Sequence, residues 1–178
     1  MPASLAATMP PVHAIMQGMS KESDLDFPVG NPDERELLIS WLHFLRGAIL
    51  RKLEGLSEEA ARWRPDDRLI SLLGIVNHLT HVEWRWIDGA MLGEETSRSE
   101  EEFHPGSELP LADAVEAYRA RAEKTDAVIR AMPSLAEASV RGEGRDLRWV
   151  VLHLINETAR HAGHADSTRE LLDGLTGE

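Results

Sequence analysis

The chain has 178 residues, 42% hydrophobic and 28% charged, with no cysteine; the length suits one domain with a buried core, and the missing thiols exclude disulfides, thiolate metal sites and a cysteine nucleophile. Nineteen Lys and Arg against 31 Asp and Glu leave a formal charge of −12, which repels nucleic-acid phosphate and anionic bilayers. No apolar run approaches the roughly 18 residues of a membrane span, and the N-terminus lacks a basic start followed by a sustained apolar stretch, so a cytoplasmic protein with neither nucleic acid nor membrane as partner is expected.

Residues 1–31 hold Pro2, Pro10, Pro11, Pro28 and Gly30 without sustained periodicity and read as an irregular N-terminal arm. Met9, Met16 and Met19 offer later starts, and the first 18 or so residues are expected to be dispensable. Residues 32–178 read as one helical domain. From Asp33, acids in the first turn are followed by Leu38, Trp41, Leu42, Leu45, Ile49 and Leu53 at three- and four-residue steps, the pattern of a long amphipathic helix ending near Gly55. SEEAARW after Ser57 predicts a short helical turn stopped by Pro65. Ser71 can cap a second long helix running to about Leu92, before Gly93. The acidic run EETSRSEEE in the connection that follows reads as a solvated loop. A third helix starts near Pro110 and stops at Pro133. Asp146 can cap a fourth, through LRWVVLHLINETARHAGHADSTRELLDGL. No segment alternates like a strand and no phosphate-binding glycine pattern is present. The fold class is all-α, a four-helix bundle.

Histidine carries the functional signal. Five of the eight fall in two segments, NHLTHVE with His78 and His81, and HLINETARHAGHAD with His153, His161 and His164. At about 100° per residue, His153, Glu157, His161 and His164 lie within roughly 80° of one another on the fourth helix, on the side of Val150, Leu154 and Leu172. A carboxylate and an imidazole projecting together into a core call for compensation, because burying them unpaired is costly. On the second helix His78 lies about 80° from the apolar centre set by Ile75, Leu79, Val82 and Trp86, and His81 about 140°, so His78 is the better inward group. His78, Glu157 and His161 would make a two-histidine, one-carboxylate site suited to Zn²⁺ with an open position or to Fe²⁺ and similar ions. The competing reading is an ordinary helix pair with no ion, because i,i+4 Glu–His spacing is common. His153 and His164 are candidates for proton transfer, substrate contact or plain core packing. His13, His43, His81 and His104 read as surface or structural groups, and the five tryptophans as core or bundle-edge packing, with Trp86 best placed to line a pocket.

The segments SLLGIVNHLTHVEWRW and LRWVVLHLINETARHAGHADSTRELLDG, with the order of elements over about residues 30–175, resemble the DinB-like (YfiT-like) metalloprotein superfamily, especially its actinobacterial mini-circle-type branch. The resemblance implies a four-helix bundle holding a divalent metal, commonly zinc or nickel, through one residue of the second helix and two residues one turn apart on the fourth. On this chain those positions are His78, Glu157 and His161. Many members carry three histidines; Glu157 departs from that pattern and is similar to the His-Glu-His set of mycothiol-dependent maleylpyruvate isomerases, a departure that leaves the preferred metal open. Those isomerases have a further C-terminal domain, and their activity is not carried over. The mechanism implied is a thiol-dependent S-transferase using mycothiol, bacillithiol or a similar small thiol on an electrophilic small molecule. A metal-dependent hydrolase and a non-catalytic metal- or small-ligand-binding protein remain as alternatives, and a homodimer is one assembly the resemblance allows.

Overall fold

Three of the four long helices begin where a short polar side chain takes up a free N–H. In the computed structural model, which describes residues 27–67 and 69–176, the Asp33 carboxylate accepts from the backbone N–H groups of Arg35 and Glu36 and starts α1 (Glu34–Arg51). Ser57 caps the short α2 (Glu58–Arg62), Ser71 caps α3 (Leu72–Trp84) through Gly74 N–H, and Asp146 caps α5 (Leu147–Asp173) through Trp149 N–H. Helix α4 (Leu111–Ala131) follows Pro110, which has no capping side chain; its Leu111 N–H donates instead to Glu58 Oε1 of α2 at 2.7 Å. Gly174 ends α5 with φ 79°, a left-handed conformation that suits glycine, and its N–H returns to Glu170 O.

The four long helices form a bundle in which α1 runs parallel to α5 and α3 parallel to α4, while α3 against α5 and α1 against α4 are antiparallel. Their apolar faces build two core clusters. One gathers Leu42, Ile87, Ile129, Leu147 and Leu154; the other gathers Ile49, Leu72, Leu79, Tyr118 and Ala165. Between them along α1, α3 and α4 runs a charged layer. Arg46 donates from Nε and NH2 to the two carboxylate oxygens of Glu83, each at 2.8 Å, and from NH1 to Asp126 Oδ1 at 2.8 Å. Burial alone would weaken the Arg46 charge, but Glu83 and Asp126 offset this and hold its pKa above the ordinary value.

Two departures from the sequence expectation matter for the site. The second long helix does reach Met91, but from Arg85 to Met91 it widens into a π-helix, whose longer turn breaks the 3.6-residue pattern on which an apolar wheel depends. Asp88 of this segment is buried and held by Arg121 at 2.6 Å and by Lys124, both from α4. The segment between α4 and α5 folds back on itself through Ser139 N–H to Arg145 O and Leu147 N–H to Glu137 O, and docks on the π-helix through Arg141 N–H to Ala90 O. Residues 1–26, which include the proposed starts at Met9, Met16 and Met19, lie outside the described residues. Phe27 packs on Trp41 and Phe44 of α1. No helix among the described residues is long and apolar enough to cross a membrane.

Candidate metal centre

Helix α5 presents Glu157 and His161 one turn apart, and α3 presents His78 opposite them. One ligand atom from each of the three lies within 4.8 Å of the other two. The structure therefore brings together the three residues singled out by the helical wheel. His78 is 5% exposed and His161 8%. His81, the histidine set aside, is only half-buried, and its Nδ1 lies 2.8 Å from Asn77 O of its own helix.

The His161 ring is the unsatisfied member. Among the described residues its buried Nδ1 has no hydrogen-bond partner, and its Nε2 stands 3.8 Å from Glu157 Oε2, too far for a hydrogen bond. Two tetrahedral ligands of one ion, each about 2.1 Å from it, sit roughly 3.4 Å apart, so that separation suits a shared cation better than a direct contact. Burial, the neighbouring His78 and His164 rings and Arg160 push the His161 pKa down to about 4, against the pull of Glu157. The ring is neutral near pH 7, which is the ligating form. The donor set of two imidazoles and one carboxylate fits a divalent transition ion.

His78 is fixed from behind by a residue that the sequence reading missed. Glu102, inside the acidic run taken for a solvated loop, is 3% exposed. Its Oε1 lies 2.8 Å from His78 Nδ1, and Arg85 donates to it from NH1 at 2.6 Å and from NH2 at 3.0 Å. Burial would raise the Glu102 pKa, but the hydrogen bonds from Arg85 and His78 outweigh it and hold the carboxyl below its usual value. An ionised carboxylate only accepts, so Nδ1 of His78 is the donor and Nε2 carries the free lone pair. Burial also lowers the His78 pKa, with Glu102 opposing. The rest of that run is exposed or half-buried. A count of acidic residues gives no sign that one of them turns inward; the one available signal was Phe103, an apolar residue directly after Glu102 in an otherwise polar stretch.

The three residues stand in the wall of an open cavity of about 770 Å³, lined also by Trp86, Phe103, Arg145 and His153. Trp86 thus faces the cavity, as the sequence led one to expect, although the π-helix that carries it departs from the 3.6-residue wheel. His153 stacks on Trp149 with ring centroids 5.1 Å apart and planes 9° apart, beside Trp86 at 4.6 Å. Arg145 lies over the Trp149 ring at 4.7 Å. Burial, more than any neighbouring charge, lowers the His153 pKa. His164 is exposed; its ring is 5.4 Å from that of His161, and it does not line the cavity. The chain matches the family described as mycothiol-S-transferase over residues 37–174. No curated protein matches it.

Proposed function

The chain belongs to the mycothiol-S-transferase family, and from that premise we propose that it is a metal-dependent S-transferase that joins a low-molecular-weight thiol, of mycothiol or bacillithiol type, to an electrophilic small molecule. The observation that carries the reading is the convergence of His78, Glu157 and His161 within 4.8 Å at the wall of a 770 Å³ cavity, in a chain with no cysteine to supply its own sulfur. Zinc is the first choice of ion; nickel and iron also suit the donors.

A divalent cation held there supplies positive charge that stabilises a thiolate, the nucleophilic form of a thiol. The protein's own residues do the rest. His78, Glu157 and His161 would hold the ion at the cavity wall. Trp86 and Phe103 give the cavity apolar wall on which the organic part of a substrate can rest, and Arg145 and Arg160 bring positive charge to its lining. In the transfer, the thiol loses its proton to water in the open cavity. Sulfur then forms a bond to the electrophilic carbon, and the displaced group leaves with the bonding electron pair. Holding both reactants in one cavity is itself a large part of the rate gain.

The direct test is titration of Co²⁺-loaded protein with mycothiol, bacillithiol and glutathione while the sulfur-to-metal charge-transfer band is recorded. A band with one thiol, lost in Glu157→Ala, supports the transferase and identifies the cosubstrate. Absence of a band with all three, together with turnover of esters or amides, replaces it by a hydrolase.

A further inference from the structure

Glu102 reaches His78 only because its loop lies flat against α3, and a glycine makes that approach possible. A Cβ on Gly74 would stand 2.3 Å from the backbone oxygen of Phe103, far inside contact distance, so no larger residue fits there unless the loop lifts. One turn on, Asn77 Nδ2 donates to Glu102 O at 2.9 Å and pins the same stretch of backbone. The Phe103 ring stacks on the His78 imidazole at 4.4 Å with the planes 25° apart. The imidazole is therefore held in its plane by Glu102 and across its face by Phe103. Both come from one short 3₁₀ turn, Glu100–Phe103.

We propose that this turn is part of the metal centre: Glu102 is a positioning residue that sets the tautomer and aim of His78, and Gly74 is the residue that lets it do so. The proposal rests on the assignment of His78, Glu157 and His161 as ligands. A carboxylate behind a ligating imidazole increases its basicity and fixes its orientation, and loss of such a partner typically weakens metal affinity about 10–100-fold. Arg85 completes the arrangement, since its bidentate contact orients the Glu102 carboxylate toward His78.

The experiment is a competitive chelator titration of the full chain with Zn²⁺, and with Co²⁺ for the visible ligand-field spectrum, for wild type, Glu102→Ala, Glu102→Gln, Gly74→Ala and the exposed neighbour Glu101→Ala. Glu102→Ala is expected to bind about 10–100-fold more weakly with an altered Co²⁺ spectrum. Glu102→Gln, which keeps an oxygen acceptor for Nδ1–H, should recover much of the loss, and Glu101→Ala should match wild type. Gly74→Ala should weaken binding without touching any ligand atom; if it fails to fold, the Glu102 pair decides. Wild-type affinity in Glu102→Ala overturns the proposal, as does an equal loss in the Ala and Gln variants that only tracks a lower melting temperature of the metal-free protein. If wild type binds neither ion, the ligand assignment itself falls and this proposal with it, a result distinct from tight wild-type binding unaffected by the variants.

Discussion

Glu157 Oε2 and His161 Nε2 face each other across 3.8 Å on one face of α5, a gap that neither side chain closes by a direct hydrogen bond. Metal analysis of purified protein is expected to give close to one divalent ion per chain. His161→Ala and His78→Ala should lose it, and His81→Ala should keep it. Equal metal content in wild type and His161→Ala would remove this residue from the site.

Metal should also register in stability. An ion that binds only the folded chain adds RT ln(1 + [L]/Kd), or about 2.7 kcal/mol at a hundredfold excess over Kd. Chelation should therefore lower the melting temperature and re-addition restore it. The two apolar clusters form without any ligand residue, so the metal-free protein should still unfold as a helical bundle. A melting temperature indifferent to metal would mark the three side chains as a polar cluster only.

The Arg46–Glu83 pair predicts a large cost for removing one partner. Both side chains are almost fully buried, and Glu83→Ala leaves a buried guanidinium with only Asp126, at an expected cost of about 3–5 kcal/mol. Replacing both residues with apolar ones of similar volume should cost less than the single change. Denaturant unfolding of the two variants is the check.

The helices and their starts were legible in the sequence because they rest on local chemistry: Asp33, Ser57, Ser71 and Asp146 each cap the helix that their position announced. The choice of His78 over His81 was legible because both lie on α3 before the π-helix, where a 3.6-residue wheel holds. Glu102 was not, because its burial depends on a glycine 28 positions earlier (102 − 74) and an arginine 17 positions earlier, and no local pattern records contacts of that range. The π-helix was hidden for a related reason. Asp88 in its middle is satisfied by Arg121 and Lys124 from another helix, and single-segment periodicity has no access to that pairing.

The two remaining candidate histidines should separate in function. His164 is exposed and outside the cavity lining, so His164→Ala should leave thiol transfer within about twofold, well under the 1.4 kcal/mol that a factor of ten represents. His153 lines the cavity and is braced by Trp86 and Trp149; His153→Ala should lower kcat/KM about tenfold, or roughly 1.4 kcal/mol, without releasing metal. Parallel metal and activity assays distinguish a cavity residue from a ligand.

Burial lowers the His153 pKa, and the sign of its linkage follows. The unfolded chain binds this proton more readily, so its contribution to stability is complete above the ordinary histidine value of about 6.5 and is lost as pH falls through the lowered value. Imidazole resonances followed by NMR should place its midpoint below about 6.5. A midpoint at or above that value would show that the ring is more hydrated than its position stacked on Trp149 and beside Trp86 indicates.

The charged layer between the two apolar clusters also acts as an alignment key. Apolar faces tolerate sliding, since one leucine contact resembles another. A slip of α1 by a single turn along α3, however, would carry Arg46 about 5.4 Å from Glu83 and strand charges in hydrocarbon. Only one axial setting of α1, α3 and α4 closes the contacts from Arg46 to Glu83 and Asp126. Glu83 lies five positions after His78 on the same helix, so the interaction that sets α3 at its height in the bundle also sets the height at which His78 meets α5.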